Sequence, residues 1–143
     1  MESQINYFRI LPQELFIEIL KGLLLHELVD MTELDTNFNI LIKRIEWDHI
    51  IVKLFALSDI RYVIKNFKFK KYDFTYSNIN DDDLKLLTHC HTLYLVGCMC
   101  ITEQASIKLL CSCKEIWLYG SLFGRKINNT IEYLRQNGCK VYI

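Results

Sequence analysis

Cys90-His91-Thr92-Leu93-Tyr94-Leu95-Val96-Gly97-Cys98-Met99-Cys100-Ile101 is the stretch that decides how this chain reads. Leu93 and Leu95 alternate with Thr92, Tyr94 and Val96, which is the period of a strand with one buried face. Gly97 then marks a turn. The same pattern recurs on both sides. Phe69 stands before Tyr72 and Phe74, with Ser77 after them. Cys113 stands before Ile116 and Leu118, with Ser121 after them. Upstream, in His49-Ile50-Ile51-Val52-Lys53-Leu54, alternation puts Ile50, Val52 and Leu54 on one side. Downstream, Gly138-Cys139-Lys140-Val141-Tyr142-Ile143 reads as a last copy.

The steps from Val52 to Tyr72, Leu93, Ile116 and Val141 are 20, 21, 23 and 25 residues. Helix-start residues follow each strand: Ser58-Asp59, Asn80-Asp81, Thr102-Glu103 and Asn128-Asn129. Apolar pairs at helical spacing come next, Leu84 with Leu87, Ile107 with Leu110 and Ile131 with Leu134. Strand, cap and helix repeating at this period match the leucine-rich repeat pattern. Cys90, Cys98 and Cys113 at equivalent positions, with Ile101-Thr102-Glu103 before a helix, resemble its cysteine-containing subtype.

Residues 11–42 read differently. Three short helical runs are predicted, over about 12–21, 26–34 and 37–46, and Pro12 suits a first helical turn. Leu15, Ile19 and Leu23 share one face, and Phe16 and Leu20 lie on the next. A segment this small cannot cover all of those faces alone. Leu11-Pro12-Gln13-Glu14-Leu15, then Ile19-Leu20, Leu23, Glu27-Leu28 and Leu34, Phe38 and Leu41, resemble an F-box, the adaptor-binding motif of SCF ubiquitin ligases. The resemblance covers about a third of the chain. It departs late in the motif, where Leu34-Asp35-Thr36-Asn37-Phe38 replaces the family's usual Val, Cys or Ser, a base and Trp. The cysteine-containing repeat often follows an F-box, so the two resemblances support each other.

Together they imply an α/β protein: a three-helix F-box domain over residues 1–47, packed on a short leucine-rich-repeat solenoid with a parallel sheet over residues 48–143, in about four repeats. One repeat cannot bury its apolar face alone, so the array shares one core.

The bulk numbers exclude several classes. Of 143 residues, 51% are apolar, and 17 basic residues balance 17 acidic ones. That leaves no electrostatic footprint for nucleic acid. Lys65, Lys68, Lys70 and Lys71 interleave with Phe67, Phe69 and Tyr72. An RNA-binding patch is one reading; a strand with outward lysines is the simpler one. No apolar run reaches the roughly 20 residues needed to span a bilayer. The N-terminus lacks the features of a signal peptide. A cytoplasmic or nuclear protein with six reduced cysteines is therefore expected.

His89-Cys90-His91, Cys98-x-Cys100 and Cys111-x-Cys113 invite a metal reading, but structural zinc sites use wider cysteine pairs. Small buried hydrophobes explain Cys90 and Cys113 equally well. Asp81-Asp82-Asp83 suits a helix start. There is no phosphate loop, dinucleotide fingerprint or zinc-protease motif. The expectation is a non-enzyme without cofactor or metal.

The F-box resemblance implies a substrate-recognition subunit that docks on the Skp adaptor and, through it, on a cullin. The adaptor-facing candidates are Leu11, Pro12, Leu15, Phe16, Ile19, Leu20, Leu23, Leu28, Leu34 and Phe38. The repeats would hold an unidentified protein target. Alternation puts Lys53, Asp73, Tyr94, Trp117 and Tyr142 in one outward row, flanked by Thr92, Glu115 and Lys140 on one side and Val96 and Tyr119 on the other. Asp73, Tyr94, Trp117, Tyr119 and Tyr142 are the target-binding candidates, because Tyr and Trp are enriched at binding hot spots. Two other readings stay open: a competitor that occupies the adaptor without presenting a target, and a thiol- or metal-dependent catalyst on a repeat scaffold.

Overall fold

The computed structural model describes residues 11–53, 57–102, 110, 112–121 and 128–143; for residues 57–59 and 128 only the backbone is described. The chain divides into two compact units, Met1–Ile42 and Lys43–Ile143.

The first unit holds helices α1 (Gln13–Lys21), α2 (Leu25–Leu34) and α3 (Thr36–Arg44), the last of which runs on past its boundary. Pro12 is the N-cap of α1 rather than its first residue, and its carbonyl accepts from the Phe16 amide at 3.1 Å. Its missing N–H is no loss there. Gly22 ends the helix. At the start of α2 the Glu27 carboxylate accepts from the Leu24 amide at 2.6 Å. Asp35 starts α3: its Oδ1 accepts from the amides of Asn37 and Phe38 at 2.7 and 3.3 Å. An acidic residue at this position therefore has a local use as a cap. Phe16, Leu20, Leu28 and Ile42 are buried, and the Phe16 and Phe38 rings stack 5.2 Å apart.

The second unit is mixed helix and parallel sheet. Strands β1 (Glu46–Lys53), β2 (Lys68–Asp73), β3 (Thr92–Tyr94), β4 (Glu115–Trp117) and β5 (Lys140–Tyr142) lie in sequence order, all parallel. Among the described residues, helices α4 (Leu57–Asn66), α5 (Asp81–Leu84) and α6 (Asn128–Gln136) fall between strands, and a 3-10 turn, Lys85–Leu87, continues α5. The helix expected around Ile107 lies outside the described residues, except that Leu110 is buried.

Register follows the alternation. Val52, Tyr72, Leu93, Ile116 and Val141 pair in one row, and all are buried. Phe74, Leu95 and Leu118 form a second buried row beyond the strands. There the ladder continues: the amides of Phe74, Leu95 and Leu118 donate to Tyr94, Trp117 and Tyr142 carbonyls at 2.8 to 2.9 Å.

The chain then turns. Gly97 and Gly120 both have φ of +67°, and Tyr76, at the equivalent place, has +57°. That left-handed backbone favours glycine. At Gly97 a Cβ would also run into the Tyr76 ring, so two reasons converge on it. Ser77, Cys98 and Ser121 end the turns, buried, with amides bonded back to Phe74, Leu95 and Leu118.

Two expectations change. The third helix, expected to reach about 46, ends at Arg44, and the sheet begins at Glu46. Trp47 belongs to β1, pairs with Phe69 and is fully buried. A register shift between Trp47 and Ile51 turns Asp48 and His49 outward in succession, so Trp47 and Ile50 both face in despite their spacing. Alternation alone cannot show an irregularity of this kind. Second, α4 is already under way at Leu57, so Ser58 and Asp59 lie within it. Asn80 is a cap as expected: its side chain accepts from the Asp82 and Asp83 amides at 2.9 and 3.1 Å. The Asp83 carboxylate returns the bond to the Asn80 amide at 3.2 Å.

Candidate functional site

The parallel register brings Lys53, Asp73, Tyr94, Trp117 and Tyr142 into one row on the face opposite the buried one. Its two halves differ in chemistry. At the β1 end Lys53 Nζ lies 3.3 Å from Asp73 Oδ2. Asp73 Oδ1 accepts from the Thr75 amide at 3.0 Å and from its hydroxyl at 2.6 Å. Partial burial pushes the Asp73 carboxyl up, but Thr75 and Lys53 together outweigh it and hold it below the usual range. Asp73 is thus occupied by its neighbours.

At the β5 end the row is aromatic. Tyr94 and Trp117 stack with centroids 5.7 Å apart and planes at 21°. Trp117 and Tyr142 are closer, at 3.9 Å and 17°. Tyr119 leans on Trp117 from beyond the strand, at 6.0 Å and 45°. Tyr94, Trp117 and Tyr142 are half-buried and Tyr119 is exposed. The indole Nε1 of Trp117 is buried and makes no hydrogen bond. The flanking row holds Thr92, which is buried, and Glu115 and Lys140, whose charged ends lie 3.7 Å apart. The face therefore carries a row of stacked aromatic rings with a rim of paired charges.

In the first unit the structure separates the predicted adaptor-facing residues. Leu11, Pro12, Leu15, Ile19 and Leu34 are exposed, Leu15 at 55%, Ile19 at 51% and Leu34 at 76%. Leu23 and Phe38 are half-buried. Phe16, Leu20 and Leu28 are buried, so they hold the helices rather than offering a surface. Leu15 and Ile19, at four-residue spacing, lie along one side of α1, and Leu11 precedes its N-cap. Sequence reasoning passed over Leu24 and Ile40, which are also exposed. Leu24 stands just before α2, where its backbone amide rather than its side chain has the local role.

The thiols are mostly structural. Cys90 and Cys113 Sγ atoms lie 3.0 Å apart, both buried. The bond to Cys90, then burial, pushes the Cys113 thiol far up. Cys98 donates to the Phe74 carbonyl at 3.1 Å, and burial raises its pKa. Burial takes Cys139 up to about 11. Such thiols stay protonated and unreactive. Burial also lowers the pKa of His89 and His91. Among the described residues no three His, Cys, Asp or Glu side chains gather in a metal-holding group. Among them, too, no helix is long and apolar enough to cross a membrane.

No family model, no curated protein and no solved structure matches this chain.

Proposed function

We propose that this chain is a substrate-recognition subunit of an SCF-type ubiquitin ligase, with an F-box domain followed by a short leucine-rich-repeat array. The observation that carries the reading is the exposed set Leu15 and Ile19 on α1 with Leu11 just before it, in the segment whose residues resemble an F-box. Contiguous exposed apolar residues mark interaction sites in soluble proteins. The occupant proposed for this set is the Skp adaptor, which carries a cullin. The repeat reading is supported by five parallel strands in sequence order at a 20 to 25 residue period, with β2, β3 and β4 each followed by an equivalent buried position and turn.

The aromatic row Tyr94, Trp117 and Tyr142, with Tyr119, is the proposed target surface. The mechanism is proximity: a target held near a charged conjugating enzyme presents its lysines at high effective concentration. The chain itself makes and breaks no bond. It would work in the cytoplasm or nucleus, where the adaptor and cullin are.

Affinity purification followed by mass spectrometry tests the reading, since it reports adaptor, cullin and target together. Recovery of the adaptor, and its loss with Leu11→Ala and Pro12→Ala combined, is the expected result. Adaptor binding unchanged in that double variant overturns it.

A further inference from the structure

A pocket of about 360 Å³ opens beside the β1–β2 edge of the sheet, and four of the residues lining it are lysines. Lys65 comes from the last turn of α4, Lys68 and Lys70 from alternate positions of β2, and Lys43 from the last turn of α3. Glu46 is the single carboxylate among the described residues lining it. Glu46 Oε1 lies 3.2 Å from Lys70 Nζ, where the lysine side chain is 11% exposed and the glutamate 64%. One solvated carboxylate therefore faces four ammonium groups. Among the described residues Lys43, Lys65 and Lys68 have no ion-pair partner. Like charges converging on a partly enclosed space repel one another more strongly than they would in open water. An anion in the pocket would relieve that repulsion.

A second, independent observation points the same way. His89 lines the pocket, and its Nε2 is buried without a hydrogen-bond partner. Burial, then the nearby Lys70 charge, holds the imidazole below its usual range, so it is neutral at pH 7. A neutral imidazole still has one N–H to donate. A buried polar atom left unmatched is costly, which makes a ligand oxygen a fitting partner.

We propose that this pocket binds a small phosphorylated anion, its phosphoryl oxygens held by Lys43, Lys65, Lys68 and Lys70 and by a hydrogen bond from His89. A multiply charged group matches the excess of ammonium groups; a single carboxylate would leave most of it unbalanced. The limited volume suits a small ligand better than a nucleic-acid backbone, which needs an extended groove. This inference is independent of the adaptor reading, because it concerns other residues and another kind of ligand.

Isothermal titration calorimetry of the full chain with inorganic pyrophosphate tests it. Saturable binding is expected. Lys65 and Lys68 are both exposed, so Lys65→Glu with Lys68→Glu keeps the fold and lowers affinity about a hundredfold, on the order of tenfold for each charge-assisted bond lost. His89→Asn lowers it about tenfold. If circular dichroism shows the double variant unfolded, Lys43→Glu with His89→Asn decides instead. A second arm uses phosphatidylcholine vesicles doped with phosphatidic acid. Tighter binding to these than to pyrophosphate assigns the phosphoryl group to a lipid; weaker binding assigns it to a soluble molecule. The absence of saturable heat, an affinity unchanged by the variants, or binding of an oligoribonucleotide that pyrophosphate does not displace overturns the proposal.

Discussion

The indole of Trp117 and the phenol ring of Tyr142 lie face to face, with centroids 3.9 Å apart and planes 17° from parallel. They sit at paired positions on β4 and β5, one residue on from the buried pair Ile116 and Val141 and on the other face of the sheet. The rings meet because parallel strands repeat at about 4.8 Å and the same position of each points the same way. The aromatic stack thus comes from register.

Trp117→Ala should cost about 2 kcal/mol, since it removes three ring contacts from a half-buried site. Trp117→Phe should cost less than about 1 kcal/mol, because it keeps a ring and removes a buried N–H that has no partner. Urea unfolding followed by circular dichroism measures both. In capture assays Trp117→Ala should weaken target binding and leave the adaptor bound.

On α1, exposure separates two kinds of leucine. Leu15→Asp with Ile19→Asp should leave stability within about 0.5 kcal/mol, because both side chains are exposed. The same pair should abolish adaptor pull-down. Leu20→Ala should instead cost about 3 kcal/mol, as expected for a fully buried leucine. Thermal melts alongside pull-downs distinguish the two effects.

Arg61 Nε donates to Asp83 Oδ1 at 2.8 Å, with the carboxylate fully buried and the guanidinium side chain half-exposed. Arg61→Ala leaves that carboxylate without its cation and should destabilise the second unit by about 3 kcal/mol. Arg61→Lys should recover only part, because an ammonium lacks the planar fork. Hydrogen exchange at the start of α5 should rise in step with the loss.

Alkaline pH should unfold the chain through its thiols. The pKa values of Cys98, Cys113 and Cys139 are all raised, that of Cys139 from 9.0 to about 11. A raised value means that the folded state prefers the protonated thiol. Its contribution is therefore complete below the unfolded pKa and is lost as pH rises through the folded one. Melting temperature should hold steady from about pH 7 to 8 and fall above about pH 9. Cys139→Ala should reduce the part of that fall between 9.0 and about 11. A melting temperature that does not change up to pH 11 counts against the assignment.

Much of the architecture was legible in the sequence because it depends on local periodicity. The alternation through Leu93, Ile116 and Val141 set which residues face the core and which form the outward row from Lys53 to Tyr142. Gly97 and Gly120 marked turns for a backbone reason that needs no partner. Asn80 announced a cap because its side chain bonds to amides two and three residues on. The bulge that places both Trp47 and Ile50 inside was not legible, since it answers to pairing with β2.

What only tertiary structure decided is which of several possible surfaces the chain covers and which it leaves open. Residues 11–42 display apolar residues on more than one helical face, and the helical period cannot choose among them. Packing did so: Phe16 and Leu20 went inside, while Leu15 and Ile19 stayed out. In the same way, Lys43, Lys65, Lys68, Lys70 and His89 share a pocket only once α4 is laid against the sheet. Their spacing in the chain carries no sign of that meeting. Local rules act over a few residues through hydrogen bonds and side-chain direction. Convergence of distant charges depends on how whole elements bury their apolar faces, and no short stretch of sequence contains that information.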